Sequence, residues 1–151
     1  EKAGFGHAYG FIIKRLFRRS IPVVPVLLNT YFPPNVPTAS RCYDVGRKLR
    51  AVVEAMPDDL RVAVVASGGL SHFVVDEELD LRVIEALREK DEKTLRAIPR
   101  NALKSGSSET LNWILTAGAV DFLPLQSVEY QPLYRTEAGT GVGAAFCVWA
   151  E

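Results

Sequence analysis

Hydrophobic positions along the chain switch between a helical period and continuous apolar runs. Phe11, Ile12, Leu16 and Phe17 recur at helical spacing with Lys14, Arg15, Arg18 and Arg19 between them, which predicts a short amphipathic helix. Residues 22–29 (PVVPVLLN) are instead a continuous branched apolar run, the pattern of a strand covered on both faces, with its prolines favouring the strand start or a sheet edge. The Pro33-Pro34-Asn35 loop leads to Thr38, an expected N-cap, and to Val45, Leu49, Val52, Val53 and Met56, which share one helical face. Pro57-Asp58-Asp59 ends that helix, and residues 61–66 (RVAVVA) form a second buried-strand pattern broken by Ser67-Gly68-Gly69. Strand, helix and strand make a βαβ-like unit, so the expected fold class is α/β, with a mixed, largely parallel sheet flanked by helices.

Farther along, Asp76-Glu77-Glu78 puts acids in the first turn of a helix carrying Leu79, Val83, Ile84 and Leu87, where the helix dipole favours negative charge. Short helices are expected over residues 92–98, 100–104 and 109–117, and two strands over 128–134 and 142–149 around a Gly-rich turn. No internal repeat, low-complexity tract or linker divides the chain, so residues 1–151 read as one domain or part of one.

Composition narrows the function classes. Eighteen basic residues balance eighteen acidic ones, which offers no electrostatic footprint for nucleic acid or an anionic membrane and favours a small neutral or anionic ligand. The apolar runs are shorter than the roughly 20 residues that span a bilayer. Cys42 and Cys147 stand far apart with no CxxC spacing, so neither a zinc site nor a disulfide scaffold is suggested, and a reducing cytoplasm is the expected compartment. The first residue is Glu1, with no signal-peptide pattern after it, and the opening reads as a cut through a longer protein.

Three places carry candidate chemistry. In Ser67-Gly68-Gly69-Leu70-Ser71-His72 an apolar run meets a glycine pair and ends on a histidine, at the carboxyl end of an expected strand where α/β sheets bind ligands. His72 is either a proton-exchanging group or a histidine satisfied within a loop. In Ser107-Ser108-Glu109-Thr110-Leu111-Asn112-Trp113 the carboxylate of Glu109 is either a favourable charge on a helix dipole or a metal ligand. His7, flanked by Gly6 and Gly10, is either a capping histidine or part of a site; it lies too far from His72 for an HxxxH motif. The Gly139-Thr140-Gly141-Val142-Gly143 run precedes a strand-like segment rather than a helix, which argues against nucleotide binding, and no GxSxG elbow surrounds Ser71.

In order along the chain, these segments resemble the class III extradiol ring-cleavage dioxygenases, the superfamily of the protocatechuate 4,5-dioxygenase beta subunit. The match runs from Gly6-His7-Ala8-Tyr9-Gly10 and residues 22–29 through Ser67 to His72 and Ser107 to Trp113, and on to Tyr134-Arg135-Thr136 and the final glycines. The resemblance implies an Fe(II) enzyme that opens a catechol-type ring with O2, with His72 as active-site acid/base, Glu109 as carboxylate ligand of iron and His7 as a second active-site histidine near the substrate. It also implies that the two iron-ligating histidines lie in an N-terminal half, so that this chain is the C-terminal portion of one catalytic domain and inactive by itself. Its partners would be an aromatic diol and O2, within a homo-oligomer or an alpha/beta assembly. The rival reading is a non-catalytic binding or scaffold relative on the same fold. Arg135 is either a contact for a substrate carboxylate or a structural ion-pair partner.

Overall fold

Thr38 opens the longest helix, α2 (Ala39–Glu54), by accepting a hydrogen bond from the Arg41 backbone N–H at 3.1 Å, which satisfies one of the four otherwise orphaned donors. The structure is a computed structural model that describes residues 6–151. Besides α2 it contains α1 (His7–Leu16), α3 (Glu77–Arg88), α4 (Glu92–Ala97), α5 (Thr110–Val120) and a 3-10 segment at Ser105–Glu109. Its strands are β1 (His72–Val74), β2 (Leu125–Tyr134) and β3 (Thr140–Trp149).

The core is centred on α5, which is apolar nearly all round: of its eleven residues only Asn112 is not buried. Such a helix needs cover on every side. On one side α2 supplies it, burying Ala39, Cys42, Tyr43 and Gly46, while Val52 and Met56, expected on the covered face, are exposed. The buried stripe turns toward Gly46 because that is where the two backbones meet: a methyl group on Gly46 would collide with the Leu115 carbonyl oxygen, and one on Gly118 with that of Tyr43. α3 is capped by Asp76, which accepts from the Leu79 N–H at 3.0 Å, and it buries the four apolar positions expected of it. Asp91 caps α4 in the same way through the Thr94 N–H at 3.0 Å.

The strands form one antiparallel sheet in the order β1-β3-β2. Alternation along β2 and β3 puts Val128, Tyr130, Ala145, Cys147 and Trp149 against the core and leaves Glu129, Phe146 and Val148 on the outer face. Close approach explains the glycines of β3, because a methyl group on Gly143 would occupy the position of an Asp80 carboxylate oxygen.

Several expectations change. The α/β character stands, but the sheet among the described residues is antiparallel rather than largely parallel. Residues 22–29 and 61–66, read as buried strands, run without regular secondary structure, and Val24 and Leu27 are 87% and 84% exposed. A run of branched apolar residues signals a segment suited to burial, but a strand exists only when a neighbour completes its ladder, and among the described residues these segments have none. Residues 100–104 form turns closed by Ala102 N–H to Pro99 O at 3.0 Å and Leu103 N–H to Arg100 O at 3.1 Å, too few bonds to repay helix nucleation. Among the described residues no helix is long and apolar enough to cross a membrane.

Candidate active site

The loop of residues 67–71 turns on Gly68, whose φ of +142° is a conformation that side chains rarely adopt. Leu70 and Ser71 then bond to β3 on both sides of one residue: Leu70 N–H donates to Gly143 O at 2.9 Å and Gly143 N–H to Ser71 O at 2.8 Å. This bridge delivers His72 to the start of β1. Its backbone N–H donates to the Ser107 hydroxyl at 3.1 Å, so the 3-10 segment holds it from the other side. That segment lies close to the imidazole, because a methyl group on Gly106 would stand 3.0 Å from His72 Cγ. Phe73, the next residue, has a φ of +66°, in the left-handed region rarely occupied by bulky side chains.

The ring is fixed in orientation. Nδ1 lies 3.0 Å from the Leu70 carbonyl oxygen, which can only accept, so Nδ1 carries the proton of that hydrogen bond. In the neutral ring Nε2 therefore keeps its lone pair, and it faces Glu109 Oε2 at 3.6 Å. Glu109 ends the 3-10 segment and stands at the N-cap position of α5, not inside the helix as the sequence suggests. Among the described residues its carboxylate accepts no hydrogen bond, and its side chain is 38% exposed. Glu109 Oε2 packs against the glycine turn: a methyl group on Gly68 would lie 2.5 Å from it.

Two further residues of α5 hold the turn and had no role in the sequence reading. Trp113 Nε1 donates to Gly68 O at 3.0 Å, and Asn112 Nδ2 donates to Ser67 O at 3.4 Å. Glu109, Asn112 and Trp113 are spaced i, i+3 and i+4, which places them on one face of a helix start. That spacing was the available signal.

His7 is the first residue of α1 and is exposed, and it makes no hydrogen bond or ion pair with His72 or Glu109. The N-terminal turn of α1 is nonetheless tied to the loop, because the Ser67 hydroxyl donates to Ala8 O at 2.8 Å. Arg135 is exposed at the β2–β3 turn, where its backbone N–H donates to Thr140 O at 2.7 Å, and its side chain makes no ion pair among the described residues. Among the described residues no three His, Cys, Asp or Glu side chains are grouped so that they could hold a metal ion. Glu109 nevertheless fits one ligand position: it is a partly exposed carboxylate that accepts no hydrogen bond among the described residues and stands 3.6 Å from the His72 imidazole.

A model of the family described as the catalytic LigB subunit of aromatic ring-opening dioxygenase matches residues 9–146 of this chain. A gallate dioxygenase of Pseudomonas putida is 32% identical over 110 residues, which cover 66% of this chain and 32% of the relative. The chain thus spans about a third of the length of the curated relative it matches.

Proposed function

Because this chain belongs to the family of catalytic LigB subunits of aromatic ring-opening dioxygenases, we propose that it forms the acid/base and carboxylate side of an extradiol site that cleaves a catechol-type ring. Gallate, named for the relative, or a similar hydroxylated benzoate is the substrate class. The cofactor in this reading is Fe(II), held by Glu109 together with ligands from polypeptide outside these 151 residues. A single carboxylate is too few donors for a useful ferrous site, so the chain by itself is inactive and serves as the C-terminal portion of a larger catalytic domain. The two unpaired cysteines suit a reducing cytoplasm.

One observation carries the assignment: His72 Nε2 and the carboxylate of Glu109 meet at 3.6 Å on a loop anchored on three sides. Ferrous iron, when bound, supplies a centre at which diol and O2 are brought together. The chain's own residues handle protons and position. His72 Nε2 accepts the proton of a substrate hydroxyl, keeps it while Nδ1–H stays on Leu70 O, and returns it as the ring opens. His7, at the mouth of α1, contacts the substrate rather than the metal.

The test uses the complete protein. Replacing His72 with Phe should leave iron content unchanged and slow ring cleavage by about 10^2 to 10^4, the usual loss for a general acid/base. Glu109→Ala should lose iron itself. Equal iron loss in the two variants, measured by metal analysis, would refute this division of roles.

A further inference from the structure

Asp80 is the one fully buried carboxylate among the described residues, at 0% exposure, and the proposed reaction does not use it. Both of its oxygens are engaged on the loop that carries His72. Oδ1 accepts the Ser71 backbone N–H at 2.8 Å, and Oδ2 accepts the Ser71 hydroxyl at 2.6 Å and the Tyr130 hydroxyl at 2.9 Å. The Ser71 hydroxyl itself accepts from Asp76 N–H at 3.0 Å, so its proton is directed to the carboxylate. Gly143 makes room for the arrangement, since any side chain there would displace Oδ2.

The Ser71 N–H and the Leu70 C=O belong to one peptide group. Asp80 Oδ1 binds its hydrogen, and His72 Nδ1–H binds its oxygen at 3.0 Å. Carboxylate, peptide and imidazole thus form one hydrogen-bonded chain, in which each bond polarises the next. A charge on the N–H side strengthens the carbonyl as an acceptor. We propose that Asp80 is a positioning residue for His72: through the Leu70–Ser71 peptide it holds the proton on Nδ1 and with it the orientation of the ring. This is the arrangement of an Asp–His pair with a peptide inserted between the two side chains. The donor set suits an ionised carboxylate; burial pushes its pKa up, and the hydrogen bonds from Ser71 and Tyr130 offset only part of that rise.

The inference builds on the acid/base role proposed for His72, but its test needs neither iron nor substrate, so the two can fail separately. Long-range 1H–15N spectra of the complete, iron-free protein identify His72 as the imidazole signal that is missing from the His72→Phe variant. At roughly pH 9, where ordinary imidazoles are neutral, wild-type His72 should show the Nδ1–H pattern. Asp80→Ala should lower the ratio of Nδ1–H to Nε2–H by about twofold, since the carboxylate acts through one intervening peptide and polarisation strengthens a hydrogen bond by about 10–30%. Asp80→Asn keeps the size and one acceptor oxygen but loses the charge, and should lower it in the same direction; it carries the test alone if the Ala variant does not fold. Tyr130→Phe removes a different partner of the same carboxylate and should weaken the fold while changing the ratio less than Asp80→Asn does. A folded Asp80→Asn with the wild-type ratio overturns the proposal, as does a Tyr130→Phe shift equal to that of Asp80→Asn, which would mark the network as structural only.

Discussion

Replacing Gly68 with Ala joins the backbone of the turn to the chemistry of the site. A φ of +142° is open to glycine, and forcing a side chain into such a region costs about 1–3 kcal/mol. The added methyl group also meets Glu109, with Oε2 at 2.5 Å and Cβ and Cδ both at 3.4 Å. The carbon contacts are tolerable. The oxygen is not, and it must retreat by about 1 Å to reach ordinary van der Waals separation. It terminates a flexible side chain, so the carboxylate swings away from its place 3.6 Å from His72 Nε2 while the fold survives. Urea unfolding should register the backbone part: with a slope of about 1–3 kcal/mol per molar, the midpoint falls by about 1 M. In the complete protein, iron content should fall as well, because the carboxylate proposed as the iron ligand is displaced. A Gly68→Ala protein with the wild-type midpoint and wild-type iron content would show that neither the turn nor the carboxylate depends on this contact.

Glycine does not have this effect everywhere. Gly10 lies inside α1 with nothing within 4 Å of an added methyl group, so Gly10→Ala should stabilise the protein by about 0.5–1 kcal/mol in the same urea assay. Gly118→Ala should do the reverse, losing about 1–3 kcal/mol, since the methyl group strikes the Tyr43 carbonyl where α2 and α5 touch; an unchanged midpoint would mean that the helices separate at little cost. Burial pushes the thiols of Cys42 and Cys147 up to about 11, so at pH 8 only about one in a thousand is ionised. Iodoacetamide labelling followed by mass spectrometry should therefore be about 100-fold slower in the folded chain than in urea, and should accelerate as pH rises toward 11. Rapid labelling of the native protein at pH 8 would contradict the burial of Cys42.

Much of the local structure is legible in the sequence because its causes are local. Thr38 and Asp76 mark helix starts through hydrogen bonds that span three residues, and the period of Leu79, Val83, Ile84 and Leu87 states which face of α3 is covered. The two C-terminal strands follow from alternation and a Gly-rich turn. The 22–29 and 61–66 runs show the limit of this reading: their apolar character records a tendency to be buried, while pairing is a property of two segments. The face of α2 departs in part for a related reason: Val45 and Leu49 pack against the core as expected, but the covered side is decided by the glycine contact with α5, which leaves Val52 exposed.

For the site, the sequence by itself determined the chemical inventory: one histidine after a double glycine, one glutamate opening a late helix, and the order in which they occur. Only the tertiary structure decided that they meet, 37 residues apart in the chain, with Nε2 and Oε2 separated by 3.6 Å. It also decided that Asp80, a residue with the sequence appearance of one more acid in a helix's first turn, lies buried beneath the loop and reaches His72 through a peptide. The physical reason is the range of the forces involved. Capping and periodicity act over a turn of chain, whereas the state of a proton on an imidazole depends on whichever groups packing brings within a hydrogen-bond length.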